Sequence, residues 1–183
     1  MEGVDATTKN RDAQGKYHLY GQQRHPSSSS CGGSSEKRGC QALGRSKGGF
    51  GTKIHILVDD LGRLLKLVLS PGQSSDHMYA AELAWQAIAY QAQTVMGDKG
   101  YDSKALRNQI ADAGVEPIIP FRQWSSIRPD IDWARYKERN VVERFIGRLK
   151  ENRRIATRYE KKATHFAGFL MLAAIKNWLK IIC

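Results

Sequence analysis

The residues best able to do chemistry lie in the run Tyr136 to Lys150, Tyr-Lys-Glu-Arg-Asn-Val-Val-Glu-Arg-Phe-Ile-Gly-Arg-Leu-Lys. At about 100° per helical residue, Tyr136, Arg139, Glu143, Ile146 and Lys150 share one stripe about 80° wide. Val142, Phe145 and Leu149 form a face suited to a core, and Lys137, Arg144 and Arg148 fall on the solvent side. One carboxylate, Glu143, therefore stands with a phenol and two cations at the border of a buried face. Two chemistries are open to it. Arg139 and Glu143 are four residues apart and could form an ordinary intrahelical ion pair. Alternatively, Glu143 could hold a metal ion while the flanking cations meet phosphates.

A second candidate is Gly97-Asp98-Lys99-Gly100-Tyr101-Asp102. An acid at the C-terminal end of a short parallel strand lies at the crevice where open α/β sheets bind ligands. Turn chemistry also accounts for the same Asp and Gly residues.

The elements that must carry these groups can be read around them. Lys53 to Val58 and Leu64 to Ser70 are β-rich runs separated by Asp59-Asp60-Leu61-Gly62, which predicts a hairpin. Pro71-Gly72 breaks the chain, and Ser74 or Ser75 is suited to cap a helix reaching about Ala92. Thr94 to Met96 reads as a short strand. Asp102 is suited to cap the next helix, with Gly114 as its stop, and Glu116 to Ile119 reads as another strand. Strands joined through helices imply parallel neighbours, and a hairpin beside them makes an α/β fold with a mixed sheet. Residues 9–50 read as a flexible, basic Ser/Gly-rich insertion, because Pro26 to Ser35 holds six serines and two glycines.

With 183 residues and 41% apolar residues the chain is sized for one folded domain and is no disordered or collagen-like sequence. Its net charge is +11, concentrated unevenly: +4 over residues 1–50, −2 over 51–120 and +9 over 121–183. Such a localised basic field favours polyanions, nucleic acid before anionic membrane. Cys31, Cys40 and Cys183 match no zinc spacing, which suggests a reducing compartment. The N-terminus lacks the basic start and apolar run of a signal peptide. Phe166 to Ile175 is too short to cross a bilayer and reads as a buried helix. Of the five histidines none has metal spacing, and His55 is expected to be a hydrogen-bonded structural residue.

Tyr136, Arg139, Glu143 and Lys150 reproduce the Tyr-x2-Arg-x3-Glu-x6-Lys signature of DDE transposases from bacterial insertion sequences, and Gly97 to Asp102 resembles the segment carrying their second acid. Ala42 to His55 and Arg153 to Tyr159 are also similar to stretches of that family, so the resemblance covers roughly residues 42 to 180. It implies an RNase H-like fold, a mixed five-stranded sheet flanked by helices with a C-terminal helical pair. The catalytic domain would span 51–183, with 1–8 as a remnant of the first catalytic strand. By position Asp98 would be the second acid and Glu143 the third. Asp5, in Gly3-Val4-Asp5-Ala6-Thr7, resembles the first, although Lys9-Asn10-Arg11-Asp12 after it is a poor central strand; Asp59, Asp60 and Asp76 are substitutes for it, though hairpin and cap positions explain them adequately.

The resemblance further implies that Asp5, Asp98 and Glu143 hold two Mg²⁺ ions, Mn²⁺ being a substitute, which clamp the attacking and leaving oxygens of a phosphodiester. The reaction would be cleavage at the ends of an insertion sequence followed by strand transfer into target DNA. Tyr136, Arg139, Lys150, Arg153, Arg154 and Arg158 would contact DNA, with little discrimination of sequence. The partner would be double-stranded DNA, bound by a homodimer in the bacterial cytoplasm at the nucleoid, with no membrane. A non-catalytic remnant that binds DNA but lacks a competent first acid is the alternative.

Overall fold

The computed structural model describes residues 16–26, 41–46, 49–126 and 128–182. Its centre is a mixed sheet of six strands: β1 (Lys16–Pro26), β2 (Gly44–Ser46), β3 (Gly49–Asp59), β4 (Leu64–Pro71), β5 (Thr94–Met96) and β6 (Glu116–Ile118). The path runs β2-β3-β1-β5-β6, with β4 paired to β3. β3 and β4 form the expected antiparallel hairpin, and β5 and β6 pair in parallel, Val95 opposite Pro117. Six strands rather than five result because β2 adds three residues beside β3, Arg45 opposite Phe50.

The slot between the hairpin and the Thr94 strand belongs to Lys16–Pro26. β1 runs antiparallel to β3, Leu19 opposite Leu57, and parallel to β5, His18 opposite Met96. The expected flexible insertion 9–50 therefore contains two strands. The serine-rich composition that suggested mobility belongs to residues 27–35, whereas Tyr17 to Tyr20 is a run with good β propensity. Residues 1–8, expected to hold the first strand, lie outside the described residues, and so does Asp5.

Helices cover both faces of the sheet. α1 (His77–Ala89) and α2 (Lys104–Asp112) close one face over Leu19, Leu57 and Val95, with Leu83, Ala87 and Ile110 fully buried against them. On the other face Ile54, Ile56 and Val58 of β3 meet Val142, Phe145 and Leu149 of α4 (Asn140–Lys150). Ile155 of α5 (Arg153–Ala156) and Phe166 and Leu170 of α6 (Ala163–Ile182) complete that layer. Alternate side chains of β3 thus enter two different cores, which is why the strand is buried continuously from Gly51 to Asp59.

Three local expectations change. α1 begins after Asp76 rather than Ser74 or Ser75, and Asp76 makes no side-chain cap bond. Ser103, not Asp102, caps α2, accepting from the Leu106 N–H, because Asp102 is engaged by Arg107 at 2.8 Å. The run from Tyr136 is not one uniform helix: α3 (Trp133–Tyr136) passes through a 3₁₀ turn, Lys137–Arg139, before α4. Ile146, next to Val142 around α4, joins the core with Val142, Phe145 and Leu149 instead of the polar stripe. Gly114 does stop α2, at φ +75°.

Candidate active site

Asp98 sits just past the C-terminal end of β5. Its carboxylate accepts the Gly100 N–H at 2.8 Å and so closes the 3₁₀ turn Lys99–Tyr101. Tyr101, fully buried in the core under α1 and α2, anchors that turn from below. Arg122 anchors it from outside, donating through Nε to the Lys99 carbonyl at 2.9 Å and through Nη2 to the Gly100 carbonyl at 2.7 Å. Burial raises the Asp98 pKa above the usual carboxylate value. The Gly100 N–H and the Arg139 guanidinium oppose the rise, and the nearby Asp76 carboxylate adds to it.

Glu143 lies in the first turn of α4 with its side chain 53% exposed. Arg139 donates to it, Nη2 to Oε1, at 2.7 Å. The Arg139 side chain is only 16% exposed, and its guanidinium also lies 5.4 Å over the Tyr136 ring. Burial raises the Tyr136 pKa; Arg139 lowers it, and the carboxylates of Asp98 and Glu143 both raise it. One phenol and one guanidinium therefore lie within electrostatic reach of both acids. Asp98, Tyr136 and Arg139 also line one cavity of about 750 Å³, together with Asp76, Trp124 and Trp133.

The ion-pair reading of the Tyr136–Lys150 run holds for Arg139 and Glu143. Arg139 is held against Glu143 and beside Asp98, a geometry suited to orienting acids more than to meeting DNA from outside. Lys150, Arg153 and Arg154 are exposed. Arg154 is 3.6 Å from Glu160 and 5.0 Å over the Phe169 ring. Arg158 corrects the expectation that it contacts DNA. It is fully buried, donating to the Gln41 carbonyl at 2.9 Å, the Ala42 carbonyl at 3.3 Å and Thr52 Oγ1 at 2.5 Å, with its guanidinium 5.3 Å over Phe166. A guanidinium so satisfied ties the chain before β2 to the start of α6 and has no face left for phosphate.

Several contacts at this cavity had no local signature in the sequence. Asp76, 8% exposed, reaches Lys53 Nζ at 3.1 Å, and Lys53 also donates to the Ser74 carbonyl at 2.7 Å. His55 Nδ1 lies 4.0 Å from Asp76, its Nε2 lies 2.8 Å from Ser70 Oγ, and its ring stacks on Tyr79 at 4.5 Å. His55 is the hydrogen-bonded structural histidine expected. Lys53 and Asp76 meet because β3 lies beside the start of α1, a tertiary fact with no local signature. Trp124 and Trp133, 88% and 57% exposed, stand at the cavity. An isolated Trp between Gln123 and Ser125 carries no periodicity that could have announced it.

A family model described as a transposase DDE domain matches residues 24–178. The chain belongs to this family. The match takes in Asp76, Asp98 and Glu143 and begins after Asp5. The DDE transposase family implies an RNase H-like fold, and the mixed sheet with helices on both faces agrees with it. Among relatives, the chain is 37% identical over 132 residues to a Brucella ovis protein named as a transposase for insertion sequence element IS6501. That alignment covers 70% of this chain and 98% of the relative. It is 31% identical over 132 residues to a Burkholderia cepacia protein named as a transposase for element IS402, covering 67% of this chain and 60% of that relative. Among the described residues no helix is long and apolar enough to cross a membrane.

The family implies a divalent metal ion. Among the described residues no group of three Asp, Glu, His or Cys side chains converges to hold one, and β1, the strand beside β5, carries no acid from Lys16 to Pro26. What does fit is the space at Gly100. A Cβ built there would stand 2.8 Å from Asp98 Oδ1 and 3.2 Å from Asp76 Oδ2. Two carboxylate oxygens thus face a gap left open by a missing side chain, and hard cations such as Mg²⁺ accept one or two carboxylates completed by water or phosphate.

Proposed function

We propose that this chain is the catalytic part of a DNA transposase that cleaves the ends of an insertion sequence and transfers them into target DNA. The observation that most supports this is that Asp98 and Glu143, remote in sequence, share Arg139, which bonds one and lies by the other. Asp98 and Glu143 are the acids of the site, and Asp5, outside the described residues, is the candidate for the third. Two Mg²⁺ ions, for which Mn²⁺ can stand in, would stabilise charge on the attacking and leaving oxygens of the phosphodiester.

The chain's own residues have separate tasks in this reading. Arg139 orients the Glu143 carboxylate and offsets its charge near Asp98. Tyr136 packs beneath that guanidinium, at the cavity wall. Lys150, Arg153 and Arg154, on the exposed end of the α4–α5 segment, meet DNA phosphates. The excess of +9 over residues 121–183 favours the approach of a double helix to this side. Element ends and target would be held by a homodimer, in the bacterial cytoplasm at the nucleoid.

A strand-transfer assay with short end duplexes in Mg²⁺ tests the proposal. The full chain should give product, and Asp98→Ala and Glu143→Ala should abolish it. Equal product from all three would end the catalytic reading. A second reading, a DNA-binding remnant without a complete acid set, is favoured by the acid-free β1. It predicts DNA binding with no product from the unsubstituted chain. Asp5→Ala assigns the third acid: loss of product supports Asp5, and unchanged product excludes it.

A further inference from the structure

Asp76 occupies the position where an aspartate commonly caps a helix, directly before α1, yet it does not cap. Its backbone is helical, φ −63° and ψ −29°, and its side chain takes no hydrogen bond from the α1 amides. A capping residue adopts an extended backbone so that its oxygen turns back on those amides. Here the carboxylate is turned away, toward Lys53 Nζ at 3.1 Å and toward the cavity that Asp98 also lines. Lys53 and Asp76 are both nearly buried, 9% and 8% exposed, so the pair is not a surface salt bridge.

The second carboxylate is what makes this arrangement informative. Asp98 Oδ1 and Asp76 Oδ2 face the same point above Gly100. Two carboxylate oxygens turned toward one point offer the hard oxygen donors that a divalent cation accepts. Lys53 is paired with Asp76 and Arg139 with Glu143, while Lys99 and Arg122 also line the cavity. Any residue but glycine at position 100 would fill the gap between the two oxygens. His55, fixed by Ser70 and stacked on Tyr79, lies 4.0 Å from Asp76.

We propose that Asp76 is a further acidic residue of the site, turned by Lys53 and His55 to face Asp98 across the gap at Gly100 and to share in positioning the divalent cation there. This rests on the reading of Asp98 as an acid of the transposase site. Asp76 would act either directly on the cation or on its water, in both cases through the oxygen that faces Gly100. Lys53 holds the Asp76 carboxylate from the other side, Nζ to Oδ1 at 3.1 Å.

The test is Mn²⁺ binding by the full chain, without DNA, followed by calorimetry and by the electron paramagnetic resonance of free Mn²⁺. Asp98→Asn, Asp76→Asn and Gly100→Ala are each expected to weaken binding at least about tenfold, with metal-free thermal unfolding and circular dichroism reporting the fold. If Asp76→Asn fails to fold because Lys53 is left unpaired, the double variant Asp76→Asn, Lys53→Gln takes its place. Gly100→Ala keeps every charge and fills only the gap. Undiminished Mn²⁺ affinity in the folded Asp76 variant, with Asp98→Asn weakened, would make Asp76 merely the structural partner of Lys53 and overturn the inference. Undiminished affinity in Asp98→Asn would instead overturn the reading of the site on which the inference rests.

Discussion

Arg139 Nη2 donates to Glu143 Oε1 at 2.7 Å, across one turn that begins in a 3₁₀ segment and ends in α4. The contact has the spacing of a common surface ion pair, but its cation is mostly buried against Tyr136 and lies beside a second acid, Asp98. The same bond is therefore weak as a stability element and strong as an orienting one. Arg139→Ala should cost only about 0.5 kcal/mol from the lost pair while lowering strand-transfer turnover at least about tenfold. Arg139→Lys should not restore it, because an ammonium cannot reach two acids with a planar fork. Thermal unfolding alongside turnover checks this; a parallel fall in both would make Arg139 structural.

Arg158 should behave in the opposite manner. Replacing it with Met removes one donor group from the Gln41, Glu160 and Lys161 carbonyls together, while the Ala42 carbonyl keeps the Thr52 hydroxyl at 2.6 Å. Losing hydrogen bonds from a buried charged donor costs about 1 to 3 kcal/mol, so urea midpoints should fall clearly. DNA affinity of the remaining folded protein should not change. A selective loss of DNA affinity with unchanged stability would return Arg158 to the DNA-contacting set.

Two buried histidines set the acid side of the stability curve. Burial lowers both His18 and His55 to about 4 from the ordinary 6.5, despite neighbouring carboxylates that pull upward. Between pH 6.5 and 4 the unfolded chain therefore binds more protons than the folded one, and stability falls as pH falls. At one pKa unit per about 1.4 kcal/mol, each site removes at most about 3 kcal/mol by pH 4. Urea unfolding at pH 7.5, 5.5 and 4 should show the decline, and His18→Gln should flatten it.

Trp124 is the most exposed large apolar residue of those described and stands at the cavity beside Asp98. Stacking of a base on an indole contributes about 1 to 3 kcal/mol. Trp124→Ala should weaken binding of end duplexes carrying an unpaired terminal base at least about fivefold, and Trp124→Phe should recover much of the loss. Equal affinities of wild type and Trp124→Ala, measured by anisotropy, would leave the indole without a role in DNA binding.

The parts of the fold that could be read from the chain were those written locally. The β3–β4 hairpin announced itself through Asp59 to Gly62, and α2 through the stop at Gly114 and a cap read at Asp102, one residue before its actual cap Ser103. Glu143 and Asp98 could be singled out because their neighbours in sequence are also their neighbours in the site. β1 escaped notice because eleven residues including Lys16, His18, Gln22, Gln23, Arg24 and His25 do not read as a central strand. Its place is decided by pairing with β3 and β5, not by its own composition. Asp76 could be read only as a substitute acid that a cap position explained adequately, because a Ser-Ser-Asp before a helix looks like a cap and only the distant Lys53 turns the carboxylate elsewhere.

The position of β1 also orders events at the ribosome. Lys16 emerges early, but its parallel neighbour Thr94 is translated much later, after the hairpin and α1 have already been made. The nascent sheet can zip β1 to β3 first and must keep its other edge exposed until β5 arrives. Premature termination anywhere before Thr94 would thus release a product with an open central edge, prone to pair with other chains rather than to persist as a folded fragment.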